Sequence, residues 1–472
     1  MTTRARQPEA RRTRVHFQTF GCKANQYDTE RMRQELEARG ALSVGDHGQA
    51  DVVVLNTCTV TNQADAEARR AVRRVRRANP NARVVVAGCS AALRAREYTD
   101  MSGVGAVVAG HDPVEVALAS IGSDRAGSSR STGGVAPPLV SIGLNRSLDR
   151  MDTEPVGGEL LRSREAGTRG WLKIQDGCDR KCAFCATRLA RGSSRSRAPD
   201  TVVAEARLLA RVHPELVLTG VHIGHYGRDL PEPIALSGLL ARLLDEVGGV
   251  RFRLGSIEAT EVDDRLLDLL AAGDRVAPHL HMPLQSGADP VLRRMRRWHT
   301  REQYRRRALE IADRLPVLGL GADIITGFPG ETDDDHARTR ELVEELPFTY
   351  LHVFPFSPRD GTVAAELVRE MPVPQRVAGE RSRDLREIVA AKGLAYRERR
   401  SGQDARVVLE SGGSALTGDY LRVRIAEDGS PWDTGGPPDP RRLHAGRLRA
   451  EGDDLYIALS PARSAPSTLS RS

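Results

Sequence analysis

The sequence is poor in aromatic residues, cysteine and long apolar runs. Phe, Trp and Tyr make up 4% of its 472 residues, and no run approaches the roughly 18 apolar residues that span a membrane. The Arg-rich start, residues 1–14, lacks the apolar segment of a secretory signal, so we expect a cytoplasmic protein with no membrane partner. Six cysteines are too few for a disulfide framework in a chain of this length.

Lysine is also scarce, so arginine supplies most of the positive charge. The four lysines are Lys23, Lys173, Lys181 and Lys392. The formal net charge is nevertheless +7. Arginine binds phosphate through two parallel N–H donors, which favours a nucleic-acid partner, although a compositional bias of the genome explains the same excess. The length and the 40% apolar content fit about three packed domains.

The cysteines divide into two groups of three. The first triad is Cys22, Cys58 and Cys89, and the second triad is Cys178, Cys182 and Cys185. Each cysteine of the first triad comes at or just past the end of a strand-like run, and the runs are well separated along the chain. The second triad has the compact spacing C-x-x-x-C-x-x-C. The two groups therefore predict two separate sites.

Three thiolates leave a four-cysteine structural zinc site incomplete. They can instead bind three irons of a [4Fe-4S] cluster, with the fourth iron open to a substrate. For the second triad, the alternatives are a zinc site completed by a distant histidine and a chance spacing. For the first triad, buried core thiols compete with a second cluster, because free cysteine is among the most buried residue types.

The first segment, residues 14–120, alternates β-branched runs with helical patterns in the order strand, helix, strand, helix, strand. This order predicts an α/β domain with a parallel sheet. Such sheets bind ligands at the carboxyl ends of their strands, so we expect the thiols of the first triad to meet there. Residues 121–165 are rich in Gly, Ser and Pro and are predicted to be a flexible linker.

Two further domains are predicted. Residues 166–396 repeat a strand followed by a helix six times, which predicts a partial or complete (βα) barrel with its active face at the carboxyl ends of the strands. Residues 399–462 contain short strands joined by turn-rich sequence, which fits a small β-barrel. His279 and His281 alternate on one predicted barrel strand and are expected to be interior side chains rather than metal ligands.

Longer motifs resemble a known enzyme family. The second triad follows the first barrel strand and has Phe184 before its last cysteine, which resembles the signature of radical S-adenosylmethionine (radical SAM) enzymes. Around the first triad, TFGCKANQYD, NTCTVT and AGC resemble the amino-terminal domain of the methylthiotransferases, and LTGVHIG, HLHMPLQSG and GFPGET resemble that family's barrel. The final segment is more faintly similar to its RNA-binding barrel, called TRAM. Within the family, GCKANQY and LHVFPFS resemble the MtaB type.

The resemblance implies an enzyme that inserts a methylthio group at C2 of N6-threonylcarbamoyladenosine, at position 37 beside the tRNA anticodon. It implies a [4Fe-4S] cluster on each triad, and S-adenosylmethionine as the source of both a radical and the methyl group, because side chains alone cannot break such a C–H bond. The implied partners are the tRNA anticodon loop, an electron donor such as flavodoxin or ferredoxin, and a sulfur donor.

Five residues outside the triads are candidates for binding the cofactor. Phe184 belongs to the signature itself, and Gly220 would leave room for the amino end of S-adenosylmethionine. Ser256 and Glu258 would bond the ribose hydroxyls, and Gln285 would bond cofactor or substrate. A plain turn is the alternative at Gly220. At the last three residues, the alternative is that they only satisfy backbone groups.

Three other functions stay open on the sequence. Two are other branches of the family, the MiaB type acting on isopentenyladenosine in tRNA and the RimO type acting on an aspartate of a ribosomal protein. The third is a non-enzymatic RNA-binding protein whose clusters are structural or redox-sensing.

Overall fold

The computed structural model describes residues 11–59, 61–121, 140–142, 160–165, 167–273, 275–426 and 439–460. Most of the predicted linker, residues 122–139 and 143–159, lies outside this part of the chain. Within the described residues, no helix is long and apolar enough to cross a membrane.

The amino-terminal part is a parallel α/β sheet, as predicted. Its strands are β1 Arg14–Thr19, β2 Leu42–Ser43, β3 Val52–Thr57, β4 Arg83–Gly88, β5 Val104–Val108 and β6 Val140–Ile142. Its helices are α1 Lys23–Ala38, α2 Asn62–Ala78, α3 Cys89–Leu93, α4 Ala95–Thr99 and α5 Pro113–Ile121, with a 3-10 turn at His47–Gln49. The strand order is β2-β1-β3-β4-β5-β6. Strand β6 falls inside the predicted linker and pairs with β5.

Helix α2 shows how the sequence pattern produces this layer. The Thr61 hydroxyl caps the helix by accepting the N–H of Ala64 at 3.1 Å. Its apolar residues at helical spacing are buried against β3 and β4, and they are Ala68, Ala71, Val72 and Val75. Helices α1 and α5 cover the other face, so the valines of the central strands are buried on both sides.

The central part contains six parallel strands in two halves. The strands are β7 Gly170–Lys173, β10 Glu215–Thr219, β11 Arg251–Leu254, β12 His279–His281, β13 Gly319–Thr326 and β14 Tyr350–Pro355, and a small antiparallel pair is β8 Gln175–Asp176 with β9 Arg195–Ser196. The halves β11-β10-β7 and β12-β13-β14 are joined by bridges between Phe252 and Val276 and between Ser256 and His281. The predicted six strands of a partial barrel are confirmed.

Helices surround this partial barrel. They are α6 Thr187–Arg191, α7 Pro199–Leu209, α8 Leu236–Glu246, α9 Asp264–Ala271, α10 Asp289–Arg294, α11 Arg301–Arg314, α12 Asp333–Glu345, α13 Val363–Glu370 and α14 Gln375–Arg400, with 3-10 turns at Ile223–His225 and Ala259–Glu261. The largest hydrophobic core lies between these helices and the outer faces of the strands. The inner faces are therefore available for polar side chains.

The terminal part is a small closed β-barrel, as predicted. Its strands are β15 Asp404–Glu410, β16 Ser414–Thr417, β17 Arg422–Ile425, β18 His444–Glu451 and β19 Asp454–Leu459, in the order β15-β16-β17-β19-β18. It packs against the base of the partial barrel, where Arg253 donates to the carbonyls of Thr417 at 2.9 Å and Gly418 at 2.8 Å. Most of the segment between β17 and β18, residues 427–438, lies outside the described chain.

Candidate metal centres

The structure brings the first triad together at one edge of the amino-terminal sheet. Cys22 caps the start of α1 after β1, Cys58 follows β3, and Cys89 begins α3 directly after β4. These three strands are parallel neighbours, so their carboxyl ends meet. A Cβ on Gly21 would lie only 2.4 Å from the Sγ of Cys58, and its φ of +91° suits glycine. Glycine therefore permits the close approach of Cys22 to Cys58.

Cys58 and Cys89 are the buried thiols of this triad, and Cys22 is exposed. Arg191 donates its Nε–H to the Cys89 Sγ at 3.3 Å, and the His111 Nε2 lies 3.6 Å from the same sulfur. Burial raises the pKa of Cys89 to about 12, against the opposing effect of Arg191. A metal bound here must therefore displace the thiol proton, and Arg191 would compensate the negative charge of the thiolate that ligates it.

Arg191 also links the amino-terminal and central domains. Its guanidinium donates to both oxygens of Asp176 at 2.8 and 3.0 Å and to Asp28 of α1 at 2.8 Å. Lys173 bridges the same two carboxylates at 2.7 and 2.6 Å. Although burial alone would raise their pKa values, these cations hold the pKa of Asp28 and Asp176 below the usual range. The four charges are buried, balanced and shared between the two domains.

The second triad lies in the loop between β8 and α6. The Cys178 Sγ is 3.8 Å from the His222 Nδ1, and the Arg297 Nη1 is 3.7 Å from the Cys182 Sγ. Cys185 is exposed, with the hydroxyl of Thr187 3.1 Å from its sulfur. Burial raises the pKa of Cys178 to about 12 and raises that of Cys182 as well. One thiol therefore faces outward, and two lie against basic side chains.

Tight backbone packing shapes this loop. Gly177 has a φ of +68°, and a Cβ there would lie 1.8 Å from the carbonyl oxygen of Ser193. The N–H of Cys178 donates to the carbonyl of Gly192 at 3.0 Å. Since any larger residue at Gly177 would displace this strand of chain, the position of Cys178 depends on it.

The donor sets can be compared with the metals that they suit. Each triad offers three thiolates, and the chain has no further cysteine to complete either set. A [4Fe-4S] cluster held this way keeps one iron for another ligand. His111 and His222 each lie close to one thiol, as a zinc site of three cysteines and one histidine would require. The residues fit iron–sulfur clusters, and zinc is the alternative that metal analysis distinguishes.

Two cofactor candidates lie beside the second triad. Phe184 is partly buried and packs against an apolar cluster that includes Ala183 and Phe328. Gly220 follows β10, and a Cβ there would lie 2.8 Å from the carbonyl oxygen of Gln175. This close approach of the backbone accounts for glycine at position 220 without a cofactor.

The other three candidates follow β11 and β12. Ser256 is exposed, and its backbone pairs with His281 across the joint between the two halves. Glu258 is 8% exposed and accepts a hydrogen bond from Arg297. The guanidinium compensates the cost of burying the carboxylate charge. Gln285 has a φ of +66°, and its backbone exchanges hydrogen bonds with β13. Glu258 is thus already occupied by Arg297.

The sequence reasoning missed the basic residues that contact the triads. Arg191 lies six residues after Cys185, and Arg297 lies far along the chain. A third group, His222 and His225 with Glu261, lies beside Cys178, and the His222 Nε2 is 2.9 Å from Glu261. The word VHIGH offered a signal for the two histidines, whereas nothing in the local sequence marks either arginine.

Comparison with family models divides the chain as the fold does. The model described as "Uncharacterized protein family UPF0004" matches residues 14–110, which contain the first triad. The model described as "Radical SAM superfamily" matches residues 172–343, which contain the second triad. An iron–sulfur cluster and S-adenosylmethionine are therefore cofactors of the central part of the chain.

Among the chain's relatives, the protein "Threonylcarbamoyladenosine tRNA methylthiotransferase MtaB" of Rickettsia prowazekii is 34% identical over 87% of this chain and 91% of its own length. The protein of the same name from Bacillus subtilis is 38% identical over 78% of each chain. The fold of this chain is similar to that of the radical S-adenosylmethionine methyltransferase TsrM from Kitasatospora setae, with a TM-score of 0.52 and 17% identity. The similarity covers 76% of this chain and 78% of TsrM. The chain therefore belongs to the MtaB-type methylthiotransferase family within the radical SAM superfamily.

Proposed function

We propose that this protein inserts a methylthio group at C2 of N6-threonylcarbamoyladenosine at position 37 of tRNA, using an iron–sulfur cluster on each cysteine triad. The observation that carries the proposal is the shared arginine. Arg191 ends the helix that begins two residues after Cys185, and its guanidinium contacts the Cys89 thiol of the other triad. An enzyme that must pass sulfur to a carbon activated elsewhere requires its two centres to be held in a fixed relation.

Cys178, Cys182 and Cys185 would hold a cluster that, together with S-adenosylmethionine, would supply the radical chemistry needed for an unactivated C–H bond. The protein's own residues hold and balance these centres. Arg191 places positive charge against Cys89, and Arg297 places it against Cys182. Each arginine therefore offsets part of the negative charge that thiolates bring to a buried site.

The candidate cofactor residues have different expected roles. Glu258 holds Arg297 beside Cys182, so we assign it the positioning of that arginine. Ser256 is exposed and available for a ribose hydroxyl, and we keep Gln285, which has a backbone φ of +66°, as the candidate contact for cofactor or substrate. Phe184 packs the loop of the second triad against its neighbours.

The terminal barrel supplies a basic surface for tRNA. Exposed arginines alternate with buried apolar residues along its strands, and they include Arg422, Arg424, Arg447 and Arg449. Guanidinium groups so placed bind phosphate oxygens and release counterions from the nucleic acid. We assign this face to the anticodon arm of the tRNA. An electron donor such as flavodoxin or ferredoxin, and a sulfur donor, complete the set of proposed partners.

Mass spectrometry of tRNA nucleosides tests the activity directly. A strain deleted for this protein should lack the methylthio form of threonylcarbamoyladenosine, and the plasmid-borne gene should restore it. Methylthio isopentenyladenosine in its place would identify the MiaB type, and a methylthio aspartate in a ribosomal protein the RimO type. No methylthio product at all, with RNA binding retained, would support the non-enzymatic alternative.

Metal analysis of two triple variants tests the clusters. Alanine at all three cysteines of the first triad should lower anaerobically reconstituted iron from about eight to about four atoms per chain and retain 5′-deoxyadenosine formation. Alanine at the second triad should lower iron equally and abolish 5′-deoxyadenosine. Wild-type protein with stoichiometric zinc, or a first-triad variant with undiminished iron, would refute two iron–sulfur clusters.

A further inference from the structure

The interior of the partial barrel is polar, unlike the layers of branched apolar residues that usually fill a (βα) barrel. Inward-facing residues alternate along its strands, and they are Glu215, Arg253, His279, His281, Asp323 and Tyr350. The Tyr350 hydroxyl lies 2.8 Å from one histidine and 3.1 Å from the other. Polar groups at such a depth are costly unless they bind one another or a ligand.

Some cationic donors of this interior have no acceptor in the described part of the chain. Glu215 is shared by Arg251 at 2.7 Å and Arg253 at 2.8 Å, and Arg169 lies 4.0 Å away. The Arg251 Nη2 and the His279 Nδ1 are buried and have no hydrogen-bond partner in the described part of the chain. Arg169 also pairs with a carboxylate of the terminal barrel at 3.0 Å. Although carboxylates pair with these arginines, some of the arginine N–H groups still have no acceptor.

The remaining carboxylate of the interior is already occupied. Asp323 binds the His281 Nε2 at 3.1 Å and the His352 Nδ1 at 3.2 Å. Both histidines hold the pKa of Asp323 below its ordinary range, against the effect of burial. Asp323 therefore has two partners of its own at this end of the interior.

Lys23 adds another cation. It follows Cys22 at the start of α1, is partly buried, and makes no side-chain hydrogen bond or ion pair with the described residues. Burial is the main cause that lowers its pKa to about 8, and Arg169 and Arg253 add to that effect. Lys23 in turn helps to lower the pKa of His279, after burial and Arg253. Lys23, which follows Cys22 of the first triad, therefore interacts electrostatically with Arg169, Arg253 and His279 of the barrel interior.

We propose that this interior, together with Lys23, binds the carboxylate of the threonyl group on the substrate adenosine. The inference rests on the proposed function, because threonylcarbamoyl carries an anion that the unsatisfied Arg251 donor and Lys23 can bind, whereas isopentenyl carries none. A substituent on the base can enter the barrel interior while the RNA backbone stays outside. A backbone phosphate is bonded to two nucleosides and would have to bring the strand itself into the barrel, so the carboxylate is the better ligand.

A binding experiment with a matched neutral substrate tests this inference. Fluorescence anisotropy would measure reconstituted protein binding to anticodon stem-loop RNA that carries either threonylcarbamoyladenosine or its carboxamide, which lacks the negative charge. Wild-type protein should prefer the acid by about ten- to a hundredfold, the range expected for a charged hydrogen bond. Lys23→Met should reduce that preference to less than about threefold. Lys392→Met is the matched control, since Lys392 lies on α14 and donates to the Glu344 carbonyl.

The outcomes separate this inference from the proposed function. Equal binding of acid and carboxamide by wild-type protein would overturn the inference without any variant. Equal weakening of both RNAs by Lys23→Met would also overturn it, because Lys23 would then bind phosphate or hold structure. Unchanged iron content in Lys23→Met should show that the neighbouring Cys22 centre is intact, and unchanged 5′-deoxyadenosine formation should show the same for the second triad. The proposed function fails separately if wild-type protein forms no methylthio product on full-length threonylcarbamoyl tRNA.

Discussion

Replacing Arg191 with methionine should loosen the contact between the amino-terminal and central domains. The substitution keeps an unbranched side chain of similar reach but removes the guanidinium donors that bind Asp28, Asp176 and Cys89. Lys173 then faces two carboxylates alone, so the buried network changes from neutral to a net charge of −1. Local repacking cannot solvate this charge, because the side chains involved are almost fully buried.

The magnitude follows from the cost of breaking a buried ion pair. Leaving one partner uncompensated typically costs about 3–5 kcal/mol. Lys173 keeps its bonds to both carboxylates, which places the expected loss near the lower end, about 3 kcal/mol. Adding Asp28→Asn to Arg191→Met restores neutrality, so the double variant should lose less stability than the single one. Arg191→Lys keeps the positive charge but loses the planar guanidinium with its several donors, so its loss of stability should be intermediate.

Urea denaturation under anaerobic conditions, followed by far-UV circular dichroism and by cluster absorbance, measures this effect. We expect the absorbance of the reconstituted iron–sulfur protein to disappear at a lower urea concentration in Arg191→Met than in wild-type protein. Arg188→Met serves as a control on the same helix, because it changes the same residue type outside the network. If Arg191→Met lost less than about 1 kcal/mol, or if Asp28→Asn worsened it, the network would not hold the domains together.

Other predictions follow from single residues. Burial alone would raise the pKa of Glu215. Arg253 and Arg251 nevertheless hold it at about 2, below its ordinary 4.5. Stability from this carboxylate is therefore present above about pH 4.5 and lost as pH falls towards 2, so acid unfolding of Glu215→Gln should show a flatter pH dependence across that range. Gly177→Ala would force a Cβ to 1.8 Å from a backbone oxygen, so iron content should fall to about half without global unfolding. Replacing Arg424 and Arg447 with alanine should lower the slope of log affinity against log salt for tRNA by about two, and an unchanged slope would exclude them as phosphate contacts.

The sequence predicted the elements whose signals are local. The valine runs of β3 and β4 and the apolar stripe of α2 are visible within short windows, and all three form as expected. Strand β5, Val104–Val108, was not predicted, because a glycine interrupts a short run at the side of the sheet. Strand β6 lies within sequence of linker composition and is a strand through its pairing with β5. Such pairing depends on neighbouring strands in the folded chain, which a short stretch of sequence does not reveal.

The site divides in the same way. Cysteine spacing predicted the second triad, and strand order explained why the first triad should meet. The contacts of Arg191 join residues more than 100 positions apart, so their geometry appears only in the folded chain. The role of Glu258 as a ribose ligand stays a prediction, and the contact of its carboxylate with Arg297 is one that its position after β11 did not indicate.

The polar interior also explains why the terminal barrel is more than an appended RNA-binding module. Arg253 is fully buried and satisfies its donors with Glu215 inside the partial barrel and with the carbonyls of Thr417 and Gly418 from the terminal barrel. Tyr420 closes the same end by stacking on His279 with ring centroids 4.3 Å apart. Without these groups, a buried guanidinium would lose two acceptors, each worth about 1.5–3 kcal/mol. The terminal barrel therefore forms the floor of the interior that we propose for the threonyl carboxylate.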